Sequence, residues 1–213
     1  LLTSPSFHLQ VITVRGNQAL AREAVIEAAG LRTGTSLLRV RLGVARQALL
    51  ELPRVKSATL RRVWPNGLDV LVVERTGVAL LPCGQGWVEA AGDGMALELH
   101  TSASGVELPV LDGVEPATVG VGEIVPAAAA RMALAGLEAF AAAGEGVSSA
   151  RIAASDMEVT LPDGTAVYLG QADAGLAVRV ETAVRIAAEL RSRGLRVEYI
   201  DVRIPGQPVY KPR

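Results

Sequence analysis

The chain has 213 residues, half of them apolar but only 3% aromatic, and a formal net charge of −1. That length can bury one large or two modest cores, packed from Val, Leu, Ile and Ala rather than from aromatic rings. A single cysteine, Cys83, excludes an intrachain disulfide and a thiol-rich metal site, and no apolar run approaches the ~20 residues of a membrane helix, since Pro126, Arg131 and Glu138 break the richest stretch, 124–143.

A strand over 7–14 is expected to stop at Gly16-Asn17, where the Asn17 side chain makes a good N-cap for a first helix. Ala21, Ala24, Val25 and Ala28 form that helix's apolar face, and Gly30 followed by Leu31 ends it. Leu38, Leu42, Ala45, Leu49 and Leu52 predict a second helix, stopped by Pro53. Strands 55–63 and 68–74 then pair across Pro65-Asn66-Gly67, whose Asn-Gly step accepts positive φ. Leu68, Val70 and Val72 alternate toward the helices. The order is β-α-α-β-β.

From Val78 the pattern changes to short strands and Gly, Pro or Asp turns, a second, mixed α+β domain. Strands are predicted over 78–81, 86–89 and 95–99, with a loop at 100–105. Pro126 suits the first position of a helix over 127–142 that buries Leu134, Leu137 and Ala141. Strands near 147–153, 157–161 and 166–169 follow, the last two joined at Pro162-Asp163-Gly164. Leu176, Val180, Ala183, Ala187 and Leu190 give the next helix one apolar face, with Glu181–Arg185 and Glu189–Arg193 as i,i+4 pairs and Gly194-Leu195 as its end. In the strand over 196–204 the apolar side switches from Val197 and Tyr199 to Ile200, Val202 and Ile204, which a bulge or burial on both faces would explain. A turn at Pro205-Gly206-Gln207 leads into a last strand, 208–211.

Catalysis needs convergent His, Cys, Ser or paired carboxylates, and the two histidines, His8 and His100, fall in a strand and a loop away from other ligand-type residues. Cys83 lies in a turn without a nearby His to lower its pKa. Gly84-Gln85-Gly86 and Gly120-Val121-Gly122 lack a phosphate loop's Lys-Ser/Thr, and Asp156, Glu158 and Asp163 lack a calcium loop's alternation. No catalytic group, cofactor or metal is expected. Arginine outnumbers lysine almost throughout, which reads as compositional bias rather than as a nucleic-acid signature. Residues 1–75 carry 11 Lys/Arg against 5 Asp/Glu, and residues 76–213 carry 10 against 17. A basic first half would be drawn to an anionic membrane surface; docking of two complementary halves is the other reading. Trp64 and Trp87 read as interface anchors or, for Trp64, as the cap of the hairpin.

Several of these residues stand in a familiar pattern: Ile12, Val14, Gly16 and Asn17 at the strand end, Leu52, Pro53 and Val55 at the junction, and Trp64, Pro65, Leu68, Val70, Val72, Glu74 and Arg75 along the hairpin. They resemble the polypeptide-transport-associated (POTRA) domain of the FtsQ/DivIB family of bacterial cell-division proteins. The resemblance continues through Val78-Ala79, 108–113, 161–164, Leu169-Gly170 and 199–203, nearly the whole chain. It implies an α+β protein with a POTRA domain over 1–75, in which 1–6 are membrane-proximal and Leu1-Leu2 end a preceding membrane helix. An FtsQ-type β domain over 76–213 follows, with an antiparallel-rich sheet and a C-terminal edge hairpin. It further implies a single-pass, extracytoplasmic, non-enzymatic divisome scaffold coupled to septal peptidoglycan synthesis. Such proteins bind FtsB/DivIC-type and FtsL-type partners through their last strands, and make other divisome contacts through the POTRA domain. Tyr199, Asp201, Arg203, Ile204, Gly206, Val209, Tyr210 and Lys211 are the candidate partner-binding residues. One rival is a POTRA-bearing component of outer-membrane assembly or secretion, but no second β-α-α-β-β unit and no barrel strands are legible. The other, a cell-wall enzyme, meets the shortage of catalytic residue types.

Overall fold

A computed structural model describes residues 7–84, 86–115, 118–204 and 206–213; the expected membrane-proximal segment 1–6 and Pro205 of the last turn lie outside the described residues. The chain divides into two compact units, Leu1–Arg75 and Thr76–Arg213.

The first unit runs β1 (Val11–Arg15), α1 (Arg22–Ala28), α2 (Leu42–Leu50), β2 (Val55–Val63) and β3 (Gly67–Glu74), the expected β-α-α-β-β order. β3 lies in the middle of the sheet, antiparallel to β2 and parallel to β1. Because side chains alternate along a strand, Leu68, Val70 and Val72 fall together on one face and pack with Ile12, Val25, Leu37 and Leu49 in one core. Gly16 turns the chain away from β1 with a φ of +82°, and a Cβ there would lie 2.0 Å from the carbonyl oxygen of Val72. Gly30 ends α1 as predicted: its N–H donates to Glu27 O at 2.9 Å and that of Leu31 to Ile26 O at 3.1 Å.

Four local readings are corrected here. β1 starts at Val11 rather than residue 7, because the preceding segment bonds to the connection between the helices, Leu9 N–H to Thr35 O and Leu37 N–H to Phe7 O, both at 2.8 Å. Asn17 is not the cap of α1, which begins behind Ala21; its Nδ2 donates to Leu20 O at 2.9 Å. The carboxylate of Glu74 holds this turn instead, accepting from the N–H groups of Ala19 and Leu20 at 2.7 and 2.9 Å. Ala21, Ala24 and Leu38 are exposed, and Val25, Ala29 and Leu37 take the buried places. The Asn66-Gly67 step lies outside the positive-φ positions, and Gly67 instead spares a close approach to Val63 O, 3.0 Å from where its Cβ would stand.

In the second unit β4 (Gly77–Cys83), β5 (Gly86–Ala91) and β6 (Ala96–His100) form an antiparallel meander. Then come β7 (Leu111–Asp112), α3 (Ala128–Ala142), β8 (Ser149–Ala153), β9 (Asp156–Thr160), β10 (Ala166–Gln171), α4 (Leu176–Ser192), β11 (Val197–Asp201) and β12 (Val209–Pro212). These strands make a six-stranded sheet in the order β12-β11-β10-β9-β8-β7. Two of its pairs are parallel, β7 with β8 and β10 with β11. Parallel neighbours need a long crossover, and α3 and α4 supply the two.

α4 buries the five residues its spacing singles out, Leu176, Val180, Ala183, Ala187 and Leu190. α3 buries Leu134 and Leu137 with Phe140, while Ala141 is exposed, and Pro126 stands ahead of the N-cap Ala127 rather than at the first helical position. Gly136 lets the two helices close up, since a Cβ there would lie 2.9 Å from Leu176 Cδ2. His100 belongs to β6, not to the loop after it. The strand predicted over 196–204 stops at Asp201, and the register against β12 slips between Val197 and Tyr199. That bulge shifts the buried side from Val197 to Ile200 and Val202.

Candidate functional site

β12 is the outermost strand of the six-stranded sheet, and a strand edge exposes backbone groups that another chain can pair with. The other edges of the second unit are met by backbone. Leu80 N–H donates to Pro109 O at 2.9 Å and Leu80 bridges to Val110, so β4 reaches the far end of the sheet. On the outer side of β6, Ala96 N–H donates to Glu123 O and Ala96 O accepts from Gly122 N–H, both at 2.9 Å. Among the described residues no backbone group covers the outside of β12.

The register decides which groups β12 turns outward. Val202 N–H donates to Tyr168 O at 3.0 Å, so Val202 and Ile200 aim their backbone groups at β10, and Tyr199 and Asp201 aim theirs at β12. The opposed pairs Tyr199–Lys211 and Asp201–Val209 are therefore the hydrogen-bonded ones, which leaves the N–H and C=O of Tyr210 facing out. The same period turns Pro208 and Pro212 outward, where a missing N–H removes nothing from the ladder. The edge thus presents one donor, Tyr210 N–H, between two prolines.

Side chains follow the same alternation. Val209 and Lys211 share the face of Asp201 and Tyr199, and Tyr210 shares that of Ile200. Ile204, Val209 and Tyr210 are 63%, 55% and 45% exposed, an unusual run of apolar surface around Gly206, whose φ is +78°. The remaining candidates brace the hairpin. Arg203 Nε lies 3.0 Å from both oxygens of Asp201 and Nη2 lies 2.6 Å from Oδ2. This guanidinium, hydrogen-bonded to the carboxyl, holds Asp201 below the usual carboxylate value. It also stands 5.6 Å over the Tyr168 ring, and the rings of Tyr168 and Tyr199 are 5.6 Å apart. Lys211 Nζ meets Glu198 Oε2 at 2.6 Å, and that hydrogen bond raises its pKa. Tyr199, Asp201, Arg203 and Lys211 are thus engaged within the chain, whereas Ile204, Gly206, Val209 and Tyr210 offer surface.

Sequence reasoning missed Tyr168, although a chain with only three tyrosines that brings two together gives a signal worth reading. It also missed the bidentate grip of Arg191 on buried Glu145 beside a hollow of about 580 Å³ that Val197 and Arg213 help to line. His100 is not remote from other ligand-type groups: its Nε2 lies 3.4 Å from Glu89 Oε2. The ligand atoms of Glu89, Glu98 and His100 fall within 4.8 Å of one another. Cross-strand register brings them together, Glu89 opposite Glu98 and His100 two residues along the same face. The group has donors that a divalent cation accepts, and the same geometry is already used by the hydrogen bond between His100 and Glu89. Cys83 ends β4 and its Sγ lies 3.5 Å from Val119 O.

Comparison with known proteins finds family matches over residues 7–203. Residues 7–75 match the family model described as POTRA domain, FtsQ-type, and residues 62–203 match that of Cell division protein FtsQ/DivIB, C-terminal. The chain is 28% identical to Cell division protein FtsQ of Myxococcus fulvus over 93% of its own length and 70% of that protein's. It is 31% identical to Cell division protein FtsQ of Mycobacterium leprae over 99% of its length and 58% of that protein's. Cell division protein DivIB of Clostridium acetobutylicum is 28% identical over 62% of the chain and 53% of that protein. The matched region spans about half to seven-tenths of the length of these relatives.

Proposed function

The chain belongs to the FtsQ/DivIB family of cell division proteins, and on that premise we propose that it is the extracytoplasmic part of a single-pass, non-enzymatic divisome scaffold. Its work then lies in surfaces. The observation that carries this reading is the outward N–H and C=O of Tyr210 on an edge that no backbone group among the described residues covers, flanked by exposed Ile204 and Val209. A partner segment laid along β12 extends the sheet by β-augmentation, its backbone bonded to Tyr210 and its apolar side chains set against Val209 and Ile204. The partners proposed are the extracytoplasmic segments of FtsB/DivIC-type and FtsL-type proteins. Through them the scaffold links to septal peptidoglycan synthesis, and the first unit makes other divisome contacts. No helix of the described residues is long and apolar enough to cross a membrane, and membrane attachment is assigned to a helix ahead of this region.

Hydrogen exchange tests the edge directly. The Tyr210 amide exchanges freely in the chain alone and becomes protected when the partner segment binds; a complex in which it still exchanges freely contradicts the mechanism. Incubation with peptidoglycan tests the scaffold reading, which predicts no release of muropeptides. Their release would mark an enzyme.

A further inference from the structure

At one end of the first unit, three segments are stitched together into a surface that the partner edge does not use. Leu37 N–H donates to Phe7 O, the Arg62 guanidinium donates to Leu37 O and Val40 O at 2.9 and 2.7 Å, and the rings of Phe7 and Trp64 stand edge to face, 6.0 Å apart. Arg32, Arg39 and Arg41 line a shallow hollow of about 240 Å³ in the 29–45 region, and no acidic side chain is among the residues that line it. All three arginines are exposed. Val44 lines the same hollow and is 62% exposed, Leu38 precedes Arg39 in the chain and is 41% exposed, and Trp64, tied to this segment through Phe7, is 54% exposed and lines a separate hollow with Asp69.

We propose that this end of the first unit rests on an anionic lipid surface. The guanidinium forks of Arg32, Arg39 and Arg41 take headgroup phosphates, while Trp64, Leu38 and Val44 sit in the interface. A planar, weakly hydrated guanidinium suits phosphate oxygens, and arginine mixed with Trp and aliphatic side chains on one surface is the composition of an interfacial contact. An acidic polypeptide would satisfy the arginines, but apolar side chains spread around an open hollow fit an extended surface better than a single inserted segment. Charge agrees: residues 1–75 carry +6 and residues 76–213 carry −7, so an anionic surface attracts the first unit and repels the second. The inference rests on reading the chain as part of a membrane-anchored protein.

The full 213-residue chain would be sedimented with vesicles of phosphatidylcholine alone and with about 30 mol% phosphatidylglycerol, at low and high salt. Binding is expected to the anionic vesicles only and to weaken with salt. The triple variant Arg32→Ser/Arg39→Ser/Arg41→Ser should lose about a hundredfold in affinity with its thermal midpoint unchanged. Trp64→Phe should abolish the blue shift of tryptophan emission that accompanies binding. Arg185→Ser/Arg193→Ser/Arg196→Ser, on the second unit, should bind like the parent. Equal binding to neutral vesicles, no binding to either kind, or equal loss in the second-unit variant would overturn the proposal. So would capture of soluble polyglutamate without vesicle binding, which would make the surface a polypeptide site. Neither triple variant touches Tyr210, so failure on vesicles with partner affinity intact counts against this inference alone, and the reverse against the edge-strand reading alone.

Discussion

Arg203 grips Asp201 from two residues away, and the grip has a pH signature. Hydrogen bonding to the guanidinium lowers the Asp201 pKa in the folded chain, so between the folded and unfolded values the unfolded state binds more protons. The pair's contribution to the terminal hairpin is therefore complete above the unfolded carboxylate value near ~3.9 and drains away as pH falls through the folded one. Amide exchange across 199–211 should be flat from about pH 5 to 8 after correction for intrinsic rates and rise below about pH 4; loosening that begins near neutrality would contradict the assignment. Val70 supplies a second residue-scale prediction, because it is fully buried in the middle strand of the first unit. Val70→Asp loses roughly 1.5–3 kcal/mol of apolar burial and adds the cost of a buried carboxyl. Circular dichroism should find the first unit unfolded, and an unchanged melting profile would mean that Val70 faces solvent. The two residues differ in how legible they were. Alternation placed Val70 on the buried face from sequence, whereas Asp201 stood among the candidate partner-binding residues, and Glu74 could not be seen to replace Asn17 in holding the turn before α1, because its partners Ala19 and Leu20 lie at the other end of the unit's sequence.

Elements were legible in proportion to how sharply their polar and apolar residues contrast. α4 alternates Arg and Glu with Leu and Val, and its five core positions followed from period alone. α3 is mostly alanine, which fits either face, so Phe140 rather than Ala141 proved to complete its buried side. Leu38 misled for a related reason: its spacing fits the helix, but the chain turns there and buries Leu37 instead. Gly136 adds an element-scale prediction, since α3 approaches α4 where its Cβ would sit 2.9 Å from Leu176 and 3.5 Å from Met157 Sδ. Gly136→Val should force the helices apart and destabilise the second unit by about 1–3 kcal/mol, read by chemical denaturation. A neutral result would show that the helices are free to slide. The bulge between Val197 and Tyr199 belongs at this scale too. Sequence showed that the apolar side of β11 switches, but only pairing with β12 could decide between a bulge and burial on both faces.

At the scale of the whole molecule, β-α-α-β-β order was readable because Gly16-Asn17, Gly30, Pro53 and Pro65-Asn66-Gly67 punctuate the first unit, even though the connection between its helices, 29–41, is long. The six-stranded order of the second unit was not, because it depends on two crossovers and on which distant strands pair. We propose that residues 1–77 fold without the rest: the core of the first unit is formed from residues up to Val72. Expressed alone, this fragment should give dispersed, protected amide signals, and a random-coil spectrum would remove the boundary. Partner capture by the edge of β12 is the central claim. Its most direct test compares two single substitutions by thermal midpoint and by affinity for the partner's extracytoplasmic segment. Val209→Pro removes an inward N–H that the register pairs with Asp201 and should loosen the hairpin by on the order of 1 kcal/mol. Tyr210→Pro removes the outward donor together with the half-exposed ring but no ladder hydrogen bond, matching the prolines already at 208 and 212, and should leave the midpoint nearly unchanged while abolishing partner binding, whereas Tyr210→Ala, which keeps the donor, should still bind. A folded Tyr210→Pro protein that still binds its partner at full affinity would contradict the edge-strand account.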